Sequence, residues 1–114
     1  QKNFNRENGY KAAKNLLNSN GLIDAIFVYN DVMASGVIDY LNEKSIKIPD
    51  DIAVIGYDNS ISSYTNPKLS TMGFSKFKMA KKTMDLLFKR IDKGGDNEPE
   101  TYFIHPELII RETT

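Results

Sequence analysis

Two short apolar runs constrain the fold of this chain more than any other feature of it. Residues 25–29 (AIFVY) and 52–57 (IAVIGY) are each too short for a buried helix and are rich in residues that favour strands. Continuous apolar runs of this kind suit parallel strands that are covered on both faces. The segment between them, residues 32–44 (VMASGVIDYLNEK), is typical of a helix, and we expect Asp31 to cap it. A strand, a helix and a second strand over about 30 residues predict a βαβ unit.

The segments outside this unit extend the same pattern. Asn5 is expected to cap a first helix, and Pro106, which cannot donate to a ladder, separates two strand-like halves within residues 101–111. The fold class that follows is α/β, with an open, mostly parallel sheet flanked by helices. The expected elements are a helix over 6–18, a loop with one helical turn at 60–68, a strand at 69–74, a helix over 76–92 and a surface loop at 94–99.

Composition excludes several classes of function. The 114 residues contain 15 Lys and Arg against 15 Asp and Glu, so there is no basic excess of the kind that marks a nucleic-acid-binding surface. The absence of cysteine removes thiolate zinc sites and cysteine nucleophiles. No apolar run approaches the roughly 18 residues that a membrane span needs. The chain opens on Gln1 with no signal-peptide pattern, and we expect it to be a piece of a longer protein.

Polar dipeptides follow both apolar runs, Asn30-Asp31 after the first and Asp58-Asn59 after the second. The carboxyl ends of parallel strands share one sheet edge, where ligands of open α/β sheets bind. Amides and carboxylates there can bond the hydroxyls of a sugar or a polar heterocycle. For Asp31 helix capping is a complete explanation and is favoured. For Asp58 a turn residue and a ligand contact are both open.

An enzyme is the less favoured interpretation of these paired acids. They would suit general acid/base catalysis or a magnesium site, but the chain has no nucleophile elbow, P-loop or G-x-G-x-x-G motif, and Gly94-Gly95 follow a helix rather than a strand. His105 has no Asp or Ser partner nearby in sequence and is interpreted as a surface or packing residue. We therefore predict a non-enzyme without cofactor or metal. The sequence alone favours Phe4 as a core anchor, and the alternative is an aromatic at a site mouth that stacks on a ligand.

Four segments of the chain resemble the effector-binding region of LacI/GalR-type transcriptional regulators. They are residues 25–36 (AIFVYNDVMASG), 48–59 (IPDDIAVIGYDN), 67–71 (PKLST) and 106–114 (PELIIRETT), in the order and at the spacing of that family. Each is weak alone, but together they touch most of the chain. The ending PELIIRETT is more like the repressors than the related periplasmic sugar-binding proteins. Two departures are Ser70, where a Thr is usual, and Gly73-Phe74, which replace polar residues.

The resemblance implies a periplasmic-binding-protein-like sensor with a small-molecule cleft between two lobes. Residues 1 to about 70 and 104–114 would form most of the C-terminal lobe, and residues 72–103 would belong to, or pack on, the other lobe. The DNA-binding headpiece would be absent. The implied protein is a cytoplasmic homodimer that binds a sugar or similar metabolite, contacts operator DNA only through its missing headpiece and does not contact a membrane. The alternative is the exported solute-binding protein of a sugar transport system, and a weaker one is a hydrolase or kinase fragment that uses Asp31 and Asp58.

The resemblance also implies roles for particular residues. Phe4 would stack on the ligand, and Asn30 and Asp58 would hydrogen-bond to its polar groups, while Asp31 would remain a structural cap. The residues that would form the dimer interface lie on the second helix and in the loop after the second strand: Val37, Tyr40, Leu41, Tyr64 and Asn66.

Overall fold

The computed structural model describes residues 3–19, 21–92, 98–99 and 101–114. Its elements follow one another along the chain as helix, strand, helix, strand, a 3₁₀ turn, strand, helix and strand. The helices are α1 (Arg6–Asn18), α2 (Asp31–Glu43) and α3 (Lys76–Asp92), the 3₁₀ turn is Ser62–Tyr64, and the strands are β1 (Ala25–Phe27), β2 (Ala53–Tyr57), β3 (Ser70–Gly73) and β4 (Glu107–Ile109).

The four strands form one sheet in the order β1-β2-β3-β4. The pairs β1–β2 and β2–β3 are parallel, with Ile26 opposite Val54 in the first pair. The β3–β4 pair is antiparallel, with Met72 opposite Leu108. The predicted open and mostly parallel sheet is therefore confirmed. Because β1 and β2 run the same way, their carboxyl ends meet at one edge, as expected for a βαβ unit.

The contacts of the chain divide it into two compact units. The first contains the described residues up to Gly73 together with Glu107–Thr114, and so holds the sheet, α1 and α2. The second is Phe74–Pro106, which contains α3. No residue of α3 is buried, and within this unit the Lys82 ammonium lies 3.6 Å from the centre of the Tyr102 ring. No helix in the described part of the chain is long and apolar enough to cross a membrane.

Helices α1 and α2 pack at close range because each has a glycine at their contact. A Cβ on Gly36 would lie 1.9 Å from the Arg6 carbonyl oxygen, and one on Gly9 would lie 2.0 Å from that of Met33. A glycine inside a helix lowers stability relative to alanine, and at position 36 its lack of a side chain permits this close packing. The buried apolar core of the first unit comprises Ala13, Val28, Ala34, Val37, Ile38, Tyr40, Leu41, Ile52, Val54 and Leu69.

Polar side chains also connect α1 to α2. Arg6 Nη2 donates to Asp39 Oδ1 at 2.8 Å, and the Tyr10 hydroxyl donates to the Glu43 carboxylate. That second hydrogen bond raises the pKa of Tyr10 and lowers the pKa of Glu43, because it stabilises the protonated phenol and the ionised carboxylate together. The outer rim of the helix pair is therefore held by charge and hydrogen bonding, whereas its centre is held by backbone contact.

The predicted cap of α2 is wrong, whereas that of α1 is right. The Asn5 side chain accepts from the Asn8 amide at 2.9 Å and caps α1. At α2 the N-cap is Asn30, whose extended backbone lets its side-chain oxygen accept from the Met33 amide at 2.8 Å. Asp31 is already the first helical residue, and its side chain is fully buried. A sequence with Asn and Asp in succession does not indicate which of the two stands outside the helix.

The C-terminal segment also differs from its prediction. Of the two strand-like halves expected within residues 101–111, one forms a strand, Glu107–Ile109, and the described residues before Pro106 have no strand partner. Pro106 stands where the chain passes from one unit to the other, so the first half lies outside the unit that contains the sheet. Of the loop predicted at 94–99, residues 94–97 lie outside the described residues, and 98–99 have no regular structure.

Candidate functional site

A buried carboxylate fixes the start of α2 against the sheet. Asp31 Oδ2 accepts from the Ser60 amide at 2.7 Å, and Oδ1 accepts from the Thr71 hydroxyl at 2.6 Å. Gly56 makes room for it, since a Cβ there would lie 2.4 Å from Asp31 Oδ1. The negative charge lies in the first turn of α2, where the helix dipole favours it. Asp31 is therefore a structural residue that joins α2, the loop after β2 and β3.

The turn after β2 has an unusual backbone. Asp58 has φ 100° and Asn59 has φ 46°, both in the region that non-glycine residues rarely adopt. Such conformations persist where surrounding contacts hold them in place. Here the Asp58 amide donates to the Met72 carbonyl at 2.8 Å. The turn is thus attached to the neighbouring strand β3.

Arg111 holds the same turn from the C-terminal segment. Its Nη2 donates to Asn59 Oδ1 at 2.9 Å, and its Nη1 donates to the Leu69 carbonyl at 2.8 Å. Its own amide donates to the Ser70 hydroxyl at 2.8 Å. Sequence reasoning missed this residue. The one signal for it is its place in the PELIIRETT motif, because nothing in the local pattern indicates that position 111 reaches position 59.

Two aromatic rings stack beside the carboxyl end of β1. The Phe4 and Tyr29 ring centres are 4.3 Å apart, with 22° between their planes. Phe4 is 51% exposed and Tyr29 is 64% exposed, so neither belongs to the core. The Asn30 amide nitrogen lies 3.5 Å from the Phe4 carbonyl oxygen. The interpretation of Phe4 as a core anchor is therefore wrong, and the segment before α1 brings this ring to the sheet edge.

A cleft of about 350 Å³ opens at the carboxyl ends of β1 and β2. Phe27, Tyr29, Tyr57 and Asp58 line it. The aromatic rings offer faces on which a ligand ring can stack, and the Asp58 carboxylate can accept hydrogen bonds from hydroxyl or amino groups. In the described part of the chain, no group of three or more His, Asp or Glu residues is placed to hold a metal ion.

The structure brings the predicted ligand residues to one edge of the sheet. Tyr29 connects them, because it stacks on Phe4 and lines the cleft with Asp58. Asn30 Oδ1 is occupied by the helix cap, so its NH₂ group is the part of the amide that can face a ligand. His105 is exposed, so of its two interpretations, as a surface or as a packing residue, the first is confirmed.

The predicted dimer residues fall into two groups. Val37, Tyr40 and Leu41 are 3%, 5% and 0% exposed, so the core of their own chain already covers them, and they leave almost no side-chain surface for a partner. They lie on the inner side of α2, which the sequence spacing did not separate from its outer side. Tyr64 is 87% exposed, and Asn66 is exposed as well. Both line a groove of about 480 Å³, which they share with Val32, Ser35, Asn42 and Ile61.

The sheet, its helices and the edge cleft define a domain of the periplasmic binding protein-like class, and that family matches residues 1–114. The chain is 45% identical over 111 residues to the HTH-type transcriptional repressor PurR of Histophilus somni (strain 2336), covering 96% of this chain and 33% of the repressor. The chain thus belongs to the periplasmic binding protein-like family. Its resemblance to the effector-binding region of LacI/GalR-type regulators is confirmed. It spans about a third of the length of the curated relatives that it matches.

Two crystal structures of LacI family transcriptional regulators are similar to this chain. The regulator from Enterococcus faecium with bound ribose is 31% identical, with a TM-score of 0.85, and the match covers 97% of this chain and 41% of that protein. The regulator from Lactobacillus casei with bound sucrose is 32% identical, with a TM-score of 0.81, and the match covers 96% of this chain and 41% of that protein. The relatives named here are transcriptional regulators, in keeping with a protein that is not an enzyme.

Proposed function

We propose that this chain is the effector-sensing and dimer-forming part of a bacterial transcriptional repressor. The full-length protein binds a sugar or a similar small metabolite, and this binding changes the operator affinity of its DNA-binding headpiece. The observation that carries the proposal is the grouping of Phe4, Asn30 and Asp58 around one aromatic-lined sheet edge. The ribose and the sucrose bound to two similar regulators support the ligand class.

The three side chains divide the recognition of such a ligand between them. The Phe4 ring stacks on an apolar ring face, the Asp58 carboxylate accepts hydrogen bonds from hydroxyl groups, and the Asn30 NH₂ group donates one. The rigid turn at Asp58-Asn59 keeps the carboxylate in place before the ligand arrives, which reduces the entropy lost on binding. The site therefore suits a neutral polyhydroxylated ring.

The response requires two conformations of the full-length protein. The residues up to about 70 and 104–114 form most of one lobe, and residues 72–103 belong to the other lobe or pack on it. The change of unit after Gly73 and before Glu107 supports this division. The effector binds one lobe arrangement more tightly and shifts the population towards it. The change in operator affinity is limited by that difference in effector affinity. Because it acts on DNA, we place the protein in the cytoplasm.

The proposal includes a homodimer that uses the groove at Tyr64 and Asn66. This groove combines exposed apolar side chains with amide groups, a composition suited to a protein interface. Tyr64→Ala in the full-length protein should weaken self-association, as measured by sedimentation equilibrium. Phe103→Ala, which changes an exposed aromatic residue of the second unit, is the matched control. An unchanged dissociation constant for Tyr64→Ala would argue against this surface.

The experiment that tests the proposal measures effector and operator binding of the full-length protein separately. Asp58→Ala should weaken binding of ribose or sucrose about 10- to 100-fold, the effect expected for a lost charged hydrogen bond, and leave operator affinity unchanged without ligand. Asp50→Ala, an exposed acid in the turn before β2, should change neither. Wild-type affinity for both sugars in Asp58→Ala would contradict the proposed site. Absence of operator binding by the full-length protein would favour a solute-binding protein of a transport system instead.

A further inference from the structure

Tyr29 connects the Phe4 ring to the cleft beside Asp58. One face of its ring stacks on Phe4 at 4.3 Å, and the same side chain lines the cleft together with Asp58. It follows Val28, which is 5% exposed and belongs to the core, and it precedes the helix cap Asn30. The backbone on both sides of Tyr29 is therefore fixed, and the ring projects from a rigid position at the sheet edge.

The fold itself does not account for an aromatic residue at this position. Tyr29 is 64% exposed and contributes no side chain to the core. Among the residues that the structure describes, no hydrogen bond of its hydroxyl is found. The apolar ring and its unpaired hydroxyl thus face the same solvent-filled edge at which Asp58 stands. A ring kept exposed next to a carboxylate is suited to contact a ligand.

Phe4 depends on Tyr29 for its position. Phe4 lies in the segment before α1 and belongs to no regular element. Its contacts at the edge are the stack on Tyr29 and the 3.5 Å approach of the Asn30 amide to its carbonyl oxygen. One face of the Phe4 ring is covered by Tyr29, so a ligand is left with the other face. The stack therefore sets the angle at which Phe4 meets the ligand.

We infer that Tyr29 is a further ligand-binding residue of this site, which forms a two-ring platform with Phe4. The inference rests on the proposed function. The platform selects ligands with a flat or apolar ring face, whose polar groups then reach Asp58 across the cleft. Tyr29 contributes through its ring, whose face holds Phe4 in the stacked orientation and whose edge borders the cleft and contacts the ligand there. The hydroxyl adds little, because ring stacking does not require it.

The test uses calorimetric titration of the full-length protein with ribose and with sucrose. Tyr29→Ala should weaken binding about three- to ten-fold, the range expected from the loss of an aromatic contact, and Tyr29→Phe should bind within two-fold of wild type. The melting temperature without ligand should be the same in all three proteins, since the ring is exposed. Leu22→Ala removes an exposed apolar side chain before the amino end of β1 and should change neither quantity.

A double-mutant cycle shows whether Phe4 and Tyr29 act together as a platform or contact the ligand independently. Phe4→Ala and Tyr29→Ala together should weaken binding by less than the product of their separate effects, because each single substitution already breaks the stack. Wild-type affinity in Tyr29→Ala, with affinity lost in Asp58→Ala, would overturn this inference and leave the proposed function standing. If wild-type protein binds neither sugar, the assignment of a sugar site to this edge fails and the inference fails with it. A fall in melting temperature that accounts for the lost affinity would show a structural role and would also overturn it.

Discussion

The Thr71 hydroxyl donates to Asp31 Oδ1 at 2.6 Å, and both residues are fully buried. This bond joins the first residue of α2 to the middle of β3, and the two residues lie 40 positions apart in the sequence. The other carboxylate oxygen accepts from the Ser60 amide, immediately after the Asp58-Asn59 turn. A buried carboxylate with all its partners present orients the surrounding elements, and one with a missing partner destabilises them. The position of the site edge therefore depends on this network.

Removal of the Thr71 hydroxyl should lower the stability of the protein, because the buried carboxylate of Asp31 then lacks one of its hydrogen-bond donors. Thr71→Val keeps the shape of the side chain but leaves one oxygen of Asp31 without its donor, which should lower the free energy of unfolding by about 1–3 kcal/mol. Thr71→Ser keeps the donor and should recover most of that loss. Urea denaturation followed by circular dichroism measures both variants. A Thr71→Val protein as stable as wild type would show that the hydrogen bond contributes nothing.

At the contact between α1 and α2, helix propensity and packing predict opposite effects of Gly36→Ala on the free energy of unfolding. Alanine is favoured over glycine in a helix by about 1 kcal/mol, so propensity alone predicts that Gly36→Ala stabilises the protein. The added Cβ would lie 1.9 Å from a backbone oxygen of α1, which cannot move without separating the helices. We expect the clash to prevail and to lower the unfolding free energy by about 2 kcal/mol or more.

An exposed position of α1 is the control for this substitution. Asn15→Ala has a similar propensity gain without a steric cost and should stabilise the protein slightly, by less than about 1 kcal/mol. Thermal unfolding of the two variants beside wild type makes the comparison. A Gly36→Ala protein as stable as Asn15→Ala would mean that the helices separate at little cost.

The Tyr10–Glu43 hydrogen bond predicts how stability depends on pH. The pKa of Glu43 is lowered in the folded protein, so its contribution is present above the ordinary carboxyl pKa and is lost as the pH falls through the folded value. The pKa of Tyr10 is raised, so its contribution is present below the ordinary phenol pKa and is lost as the pH rises through the folded value. The stability difference between wild type and Tyr10→Phe should thus be largest from about pH 5 to pH 9 and shrink on both sides.

Urea denaturation over a pH series measures this difference, with Glu43→Gln as a second variant that lacks the ionisable partner. The stability difference from wild type should shrink at acid pH for both variants, because both remove the hydrogen bond to the charged carboxylate. A difference between wild type and Tyr10→Phe that stays constant from pH 3 to pH 11 would contradict the coupling to Glu43, because this variant removes only the hydroxyl and keeps the ring that contacts Tyr40.

Local sequence patterns predicted the elements of the fold well, because each depends on neighbouring residues. The runs at 25–29 and 52–57 contain β1 and β2, and the apolar spacing at 76–92 matches α3. The α2 cap was predicted one residue too late, since Asn and Asp are both good caps and the tertiary partners of Asp31 decide between them. Local preference alone could not have resolved that choice.

The candidate site was predictable only in part, because several of its residues are positioned by contacts between residues that are far apart in sequence. Asp58 was found at the strand end where the fold class places ligands. The stacking of Phe4 on Tyr29 and the reach of Arg111 to Asn59 depend on how the chain folds back on itself, and no periodicity records either contact. The burial of Val37 likewise depends on which side of α2 faces the core.

Arg111 provides a final prediction, on the turn that positions Asp58. Its guanidinium spans the Leu69 carbonyl and the Asn59 side chain, so it fixes a turn with two residues at positive φ to the edge of β3. Arg111→Lys can replace at most one of these bonds, because an ammonium is a point donor and not a planar fork. We expect Arg111→Ala to lower the unfolding free energy by about 1–3 kcal/mol and Arg111→Lys to recover about half of that loss.

A double-mutant cycle with Asn59→Ala isolates the bond between these two side chains. The cost of placing alanine at a positive φ occurs in both arms of the cycle and cancels, so the coupling that is left reports the Arg111–Asn59 contact. We expect a coupling free energy of about 1 kcal/mol, measured by urea denaturation of the four proteins. Fully additive losses would mean that Arg111 stabilises the domain through the Leu69 carbonyl alone, and that the turn keeps its conformation through the backbone bond from Asp58 to Met72.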